Sequence, residues 1–213
     1  MGIRHVFLTG QPGSGKTTLV RRIASEIAQE GSTRLAGFYT SEVKKANERI
    51  GFDVVDVCDP DKKAILSRVA SAAAGAGGAA RPPKRAKRPA VGRYLVDVAS
   101  FEAMAASCLR EDRVSAAGLV VVDEVGKMEL FSELFYPQVT ALLEDGRAPV
   151  LGVIPSPRYG RTIPQVEAIR TREDVVVHKL TRSTRAEVYD AVRHDVLAAM
   201  AEASRARHGA QAS

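Results

Sequence analysis

The chain has 213 residues and is 45% hydrophobic, which suits one domain with a core of its own, and no apolar run reaches the roughly 18 residues of a membrane span. Its two cysteines match no metal-ligand spacing, and the apolar run near the amino terminus is too short for a signal peptide. We therefore expect a cytoplasmic protein without a membrane partner. The net charge of +6 could suit a nucleic-acid partner. However, the segment from Arg81 to Arg93 holds six basic residues and no acid, so the rest of the chain has no net charge. We therefore do not expect a nucleic-acid partner.

The first part of the chain predicts a strand, a helix and a β-hairpin. Residues 5–9 are short, apolar and followed by glycine, as a buried parallel strand would be. Residues 16–30 carry apolar side chains four apart and predict an amphipathic helix, with Gly31 as its C-cap. Residues 35–43 and 50–58 have strand character and a polar connection, which predicts the hairpin.

Residues 71–90 form a low-complexity insertion. Gly and Pro interrupt its alanines, and nothing is available for burial, so we expect a surface loop without regular structure. The preceding segment, residues 63–69, is too short for its type to be assigned. Residues 83–88 resemble a nuclear import signal, although solvated basic loops are commoner, so import stays an alternative to a purely cytoplasmic location.

The remainder of the chain alternates apolar runs with helical patterns. The predicted strands cover residues 93–98, 118–122, 149–154 and 175–178. The predicted helices cover residues 101–110, with Ser100 as N-cap, and residues 130–144, 163–170 and 184–203. Residues 204–213 are expected to be a frayed tail. Because such alternation needs crossover connections, we predict an α/β fold whose mostly parallel sheet carries an added β-hairpin and helices on both faces, in a single domain over residues 1–203.

One segment matches a phosphate-binding motif at every fixed position. Residues 10–17, GQPGSGKT, fit G-x-x-x-x-G-K-[ST], between an apolar strand and an amphipathic helix. The glycines let the loop turn its amide groups toward phosphate oxygens, and the helix that begins near Lys16 points its positive end there. Lys16 would reach the β- and γ-phosphates, and the Thr17 hydroxyl would bind Mg²⁺. The candidate nucleotide-binding residues here are Gly10, Gln11, Pro12, Gly13, Ser14, Gly15, Lys16, Thr17 and Thr18.

A second segment places two acids directly after a buried strand. Open α/β sheets bind ligands at the carboxyl ends of their strands, where Asp123 and Glu124 would lie. Asp123 would hold Mg²⁺ opposite Thr17, and Glu124 would orient or deprotonate the attacking water. Alone, the pattern fits two acids that cap a turn equally well, but the P-loop favours the catalytic interpretation. The candidate residues of this segment are Leu119, Val120, Val121, Val122, Asp123, Glu124, Val125 and Gly126.

Arginine fingers are less clearly indicated. Arg158 and Arg161 follow a predicted strand at the same sheet edge and could stabilise charge on the transferred phosphoryl group. Ordinary solvated arginines fit the pattern at least as well, and the same two interpretations apply to Lys127.

The spacing Asp123-x-x-Gly126 also fits switch II of GTPases. No guanine-reading Asn-Lys-x-Asp is present, so we do not expect strict guanine selectivity.

Longer stretches resemble one family, the cancer-related nucleoside-triphosphatases, which also occur in bacteria and archaea. The similar segments are HVFLTGQPGSGKTTL, GFYTSEV with RIGFDVVDV, VGRYLVDVASFE, VVVDEVGKMELFSELF, LGVIP and VEAIRTREDVVVHKLT. The resemblance implies a compact P-loop fold, a three-layer α/β/α sandwich, and hydrolysis of several nucleoside triphosphates to diphosphate and phosphate with broad base tolerance. It places residues 10–17, 119–126 and 63–69 near the nucleotide. The insertion at residues 71–90 is longer than the family pattern.

We therefore predict a Mg²⁺-dependent nucleoside triphosphatase that acts on ATP, GTP, CTP and UTP by in-line attack of water. Two alternatives remain. A small-molecule or nucleoside kinase shares the P-loop but needs an acceptor site under a closing lid, and the sequence has no arginine-rich lid pattern. A nucleotide-dependent switch protein would use hydrolysis only to reset a conformation. No heptad pattern is present, and we expect a monomer.

Overall fold

A computed structural model describes residues 2–31, 33–70, 88–157 and 162–211. Most of the predicted insertion, and all but Arg88 of the import-like run, lie outside these residues. The described strands are β1 His5–Thr9, β2 Leu35–Lys45, β3 Glu48–Asp56, β4 Lys63–Val69, β5 Ala90–Val91, β6 Tyr94–Val96, β7 Leu119–Asp123, β8 Val150–Val153 and β9 Val175–Lys179. The described helices are α1 Lys16–Gly31, α2 Val98–Cys108, α3 Glu111–Ala116, a 3-10 turn Glu129–Phe131, α4 Phe135–Asp145, α5 Pro164–Arg170 and α6 Arg185–Gln211.

These strands form one sheet in the order β5-β6-β4-β3-β2-β7-β8-β1-β9. The pairs from β2 to β9 are parallel, as expected for strands joined by crossover helices. The pairs from β5 to β2 are antiparallel, so the predicted hairpin is part of a larger antiparallel extension. The α/β fold is confirmed, and residues 63–69, whose type could not be assigned from the sequence, form strand β4 of that extension.

Two separate cores give the protein three layers. Helices α1 and α6 pack on one face of the sheet through aliphatic side chains such as Ile23 and Val192. Helices α2 to α5 cover the other face, where three phenylalanine rings pack with centroids 5.0–5.8 Å apart. Phe101 meets Phe38 and Phe135 edge to face, while Phe38 and Phe135 are tilted to each other. Because both faces of the parallel strands are covered, their sequences are continuous apolar runs rather than alternating patterns. Within the described residues, no helix has both the length and the apolar character to cross a bilayer.

Helix boundaries differ from the predictions in four places. The N-cap of α2 is Asp97 rather than Ser100, because the Asp97 carboxylate accepts a hydrogen bond from the Ser100 amide at 3.2 Å. The predicted helix over 130–144 is a 3-10 turn followed by α4, since the Ser132 hydroxyl accepts from the Phe135 amide and restarts the helix there. Gly31 is the last residue of α1. Helix α6 runs to Gln211, so the tail predicted to fray from residue 204 is helical to that point.

Buried His5 joins the sheet to α4 in its neutral form. Its Nε2 donates to the Leu143 carbonyl at 3.1 Å, and its Nδ1 accepts from the Val150 amide at 3.1 Å. Burial lowers the pKa of His5 to about 4, because a charged imidazolium would lose its hydration there and Nδ1 would lose its acceptor.

Acid should therefore weaken the fold through His5. Between pH 6.5 and about 4 the unfolded chain binds a proton at His5 that the folded chain does not, so stability should fall as pH decreases through this window, by about 3 kcal/mol in total. Urea denaturation of the wild type and of His5→Gln between pH 8 and pH 4 measures this difference. The variant should be less stable at pH 8 but lose less stability on acidification. Parallel pH profiles would show that His5 is not responsible.

Candidate active site

The P-loop joins the end of β1 to the start of α1. Gly13 and Gly15 have φ angles of +76° and +96°, which residues with a side chain rarely adopt. The loop is closed by a hydrogen bond from the Ser14 amide to the Gln11 carbonyl at 3.1 Å. Backbone amides at the amino end of α1 and the positive end of its dipole together make an anion-binding site. The structure thus has the strand, loop and helix that the motif predicts.

Lys16 lies within this loop. Its ammonium group donates to the carbonyl oxygens of Gly10 at 2.9 Å and Gln11 at 3.3 Å. A polyphosphate bound to the loop amides would meet this positive charge directly, since a lysine ammonium is a compact donor of three hydrogen bonds. Lys16 therefore lies at the loop, and its part in neutralising phosphate charge stays a prediction.

Asp123 ends β7 at the same edge of the sheet, beside Thr17. Strand β8 separates β7 from β1, but α1 packs across β8, β7 and β2, which brings Thr17 to Asp123. Only 1% of Asp123 is exposed. Burial raises the pKa of Asp123 to about 7; the Glu124 charge adds to the effect, and a hydrogen bond from Thr17 together with Lys16 opposes it. A further positive charge beside Asp123 would therefore stabilise the charged form of this buried carboxyl group.

The same pair fits a Mg²⁺ ion. Asp123 Oδ2 is buried and has no hydrogen-bond partner within the described residues. The described part of the chain has no cluster of three His, Cys, Asp or Glu residues arranged for a metal. Mg²⁺ does not need one, because it usually takes one or two protein oxygens and completes its shell with water and phosphate oxygens. The Thr17 hydroxyl and the Asp123 carboxylate are oxygens of this kind.

A third carboxyl group, Glu129, lies in the site. Gly126 has no room for a side chain, because a Cβ there would collide with the Glu124 carboxylate and lie 2.9 Å from Oε2 of Glu129. The two carboxyl groups therefore meet over Gly126. Glu129 is 2% exposed, and its Oε2 has no hydrogen-bond partner among the described residues. Burial first, and the charge of Glu124 second, hold the pKa of Glu129 well above its usual range.

The predicted site residues of the second segment and the predicted cationic residues differ in where they lie and in how exposed they are. Asp123 lies beside Thr17 of the P-loop, and Glu124 lies next to Asp123 and Gly126. Lys127 is exposed, and Arg158 and Arg161 lie outside the described residues. The apolar residues before and after the acids are fully buried and hold the strand in place rather than offer polar groups; they are Leu119, Val120, Val121, Val122 and Val125.

Two residues of the candidate site, Glu129 and Arg185, are not predicted by the sequence analysis. Glu129 could have been found from the DEVGKME stretch, in which a glutamate follows the acidic pair within one short turn. Arg185, at the start of α6, donates to the Ser14 carbonyl at 3.1 Å, and its guanidinium group lies 3.0 Å from the place that a Cβ on Gly15 would take. No local pattern indicates that contact, because it joins segments far apart in the chain.

Comparisons with known proteins agree with this geometry. A family model described as NTPase matches residues 5–193. The cancer-related nucleoside-triphosphatase of Homo sapiens is 43% identical over 185 residues, which cover 85% of this chain and 90% of the relative. The nucleoside-triphosphatase THEP1 of Methanopyrus kandleri is 34% identical over 193 residues, which cover 91% of this chain and 95% of the relative.

Two solved structures are similar over nearly the whole chain. The solution structure of a human cancer-related nucleoside triphosphatase has a TM-score of 0.69 at 40% identity, and the match covers 89% of this chain and 95% of that one. The crystal structure of THEP1 from Aquifex aeolicus has a TM-score of 0.68 at 30% identity, with 90% and 96% covered.

Proposed function

The chain belongs to the nucleoside-triphosphatase family, and from that membership we propose that it is a Mg²⁺-dependent phosphohydrolase that converts nucleoside triphosphates to diphosphate and phosphate. The observation that carries this proposal is the position of the P-loop residues Lys16 and Thr17 near Asp123, the last residue of β7, which Glu124 follows in the chain. The names of the relatives support the reaction class. The breadth of substrates, the metal and the attack by water are inferred from the site.

Each group of the site has a part in the reaction. The P-loop amides and Lys16 bind the β- and γ-phosphates and offset their charge. Thr17 and Asp123 would hold Mg²⁺, which when bound supplies positive charge to the transferring phosphoryl group. Glu124 accepts a proton from the water that attacks the γ-phosphorus, while the bond from that phosphorus to the bridging oxygen breaks and the diphosphate leaves.

Glu129 positions Glu124. Two carboxylates that meet in a buried space cannot both be charged at low cost, and Glu129 is the more deeply buried of the two. The raised pKa of Glu129 favours its protonated form, and in this proposal Glu124 acts as the charged base. With Glu129 protonated and Glu124 charged, the site has one proton acceptor instead of two carboxylates that repel each other.

Phosphate release from the purified protein tests the proposed function. With Mg²⁺ present, and with no acceptor added, phosphate should be released from ATP, GTP, CTP and UTP alike. Chelation of divalent cations should lower each rate by at least about 100-fold, the scale of losing one electrostatic partner of the transition state. Loss of ATP only when an acceptor is supplied would instead point to a kinase, and the absence of any turnover would rule out a hydrolase.

A further inference from the structure

The connection from β9 to α6 lies against the start of the P-loop. The Leu180 amide donates to the Thr9 carbonyl at 2.7 Å. A Cβ on Gly10 would stand 2.4 Å from the Leu180 carbonyl oxygen, so the two backbones are too close for a side chain at Gly10. The segment that leads into α6 is therefore in direct backbone contact with the loop.

Two threonines close the turn that precedes α6. The Thr184 amide donates to the Thr181 hydroxyl, and the Thr181 amide donates to the Thr184 hydroxyl, each at 3.2 Å. The Thr184 carbonyl then accepts from the Val188 amide at 2.9 Å, which is the first bond of the helix. These bonds hold the backbone from which the side chain of Arg185 extends.

Arg185 bonds to one peptide group of the P-loop. Its Nη2 donates to the Ser14 carbonyl at 3.1 Å and lies 3.0 Å from the place that a Cβ on Gly15 would take. The peptide that joins Ser14 to Gly15 is trans, so its N–H points away from its carbonyl. A bond that holds the carbonyl therefore also sets the direction of the Gly15 amide.

The backbone at Gly15 needs such a restraint. Its φ angle of +96° is one that glycine adopts among many others, because it has no side chain to limit its backbone. The Gly15 carbonyl accepts from the Leu19 amide at 3.0 Å, so Gly15 lies at the amino end of α1, where amides bind anions. Without a partner for the Ser14 carbonyl, this peptide could turn the Gly15 amide away from a bound phosphate.

We propose that Arg185 is a positioning residue of the phosphate site, whose bond to the Ser14 carbonyl holds the Gly15 amide toward a polyphosphate in the P-loop. The proposal rests on the proposed function and names a residue, far away in the sequence, that shapes the loop for its substrate. The charge of the guanidinium group strengthens the bond to the carbonyl and adds to the positive potential at the loop.

Affinity measurements on Arg185 variants test this proposal. The ligands are the Mg²⁺ complexes of ATP and of inorganic tripolyphosphate, measured by calorimetry. Arg185→Ala should weaken both by a similar factor, about 10- to 100-fold, the range for loss of one charge-assisted hydrogen bond. Arg185→Met, which keeps the apolar stem without a donor, should show the same loss. Arg185→Lys can still donate to the carbonyl and should stay within about fivefold of the wild type.

A spectroscopic measurement shows whether the effect passes through Gly15. In nuclear magnetic resonance spectra of protein with isotope-labelled glycine, saturating tripolyphosphate should move the Gly15 amide signal of the wild type and of Arg185→Lys. The signal should move less in Arg185→Ala and Arg185→Met. Free guanidinium ions should restore part of the affinity of Arg185→Ala, which a general loss of helix packing would not allow.

Arg193→Ala is the matched control, because Arg193 lies on the same helix and pairs with Glu30 near the far end of α1. It should bind both ligands as the wild type does. The proposal is wrong if Arg185→Ala and Arg185→Met keep wild-type affinity, if their Gly15 signal responds normally, or if Arg193→Ala loses as much. Hydrolysis and binding by the wild type are measured separately, so failure of the Arg185 proposal would not be confused with failure of the proposed function.

Discussion

Lys16→Ala should lower the rate of phosphate release from Mg²⁺-ATP by at least about 1,000-fold, at the upper end of what removal of one transition-state donor costs. The ammonium group of Lys16 lies within the P-loop, 2.9 Å from the Gly10 carbonyl, where it faces any bound polyphosphate. Its loss leaves the developing charge on the γ-phosphoryl group with fewer partners. Triphosphate affinity should fall as well, because the same charge binds the ground state.

Lys127→Ala is the matched control for this change. Lys127 follows the acidic pair closely in sequence, but its side chain is exposed. It should therefore hydrolyse ATP at close to the wild-type rate. Thermal unfolding of both variants should show that the fold is kept, because the Lys16 hydrogen bonds within the described residues go to carbonyls of its own loop. Near-normal turnover in Lys16→Ala would remove Lys16 from the mechanism.

The parts of the site that sequence reasoning could predict are those formed by contiguous residues. The strand, the glycines and the helix of the P-loop occur within one stretch of the chain, and each has its own local signal. The same holds for β7, whose four apolar residues lead directly into Asp123. In both cases a short-range pattern determines which end of a strand carries the polar groups.

The parts that could not be predicted depend on contacts between distant segments. Nothing in residues 63–69 alone indicates that they pair with β3 and β6, so the antiparallel extension was assigned only in part. Arg185 meets the P-loop from the far end of the chain. The cavity of about 530 Å³ beside the P-loop is lined by the loop itself, by the segment after β8, by the end of α5 and by the segment around the end of β9, and only the tertiary fold brings these together. Glu129 lies between these two cases. It is close in sequence to Asp123 and Glu124, but only its burial in the fold distinguishes it from a surface glutamate.

Glu124→Gln should lower the rate of phosphate release by about 100- to 10,000-fold, the range for loss of a positioned proton acceptor. Glutamine has nearly the same shape as glutamate, so the contacts over Gly126 and next to Glu129 can persist. It cannot accept the proton of the attacking water at neutral pH. Binding of Mg²⁺-ATP should be retained, because Lys16, Thr17 and Asp123 are unchanged. The variant should therefore bind ATP without turning it over, which calorimetry and single-turnover assays would measure.

Glu129→Gln is the informative partner of that variant. If Glu129 keeps its proton, a glutamine amide can replace it as a hydrogen-bond donor, and activity should remain within about tenfold of the wild type. Glu129→Ala should lose more activity, because the carboxyl group that lies next to Glu124 is then removed. A large loss in Glu129→Gln together with near-normal turnover in Glu124→Gln would reverse the two assignments and make the buried residue the proton acceptor.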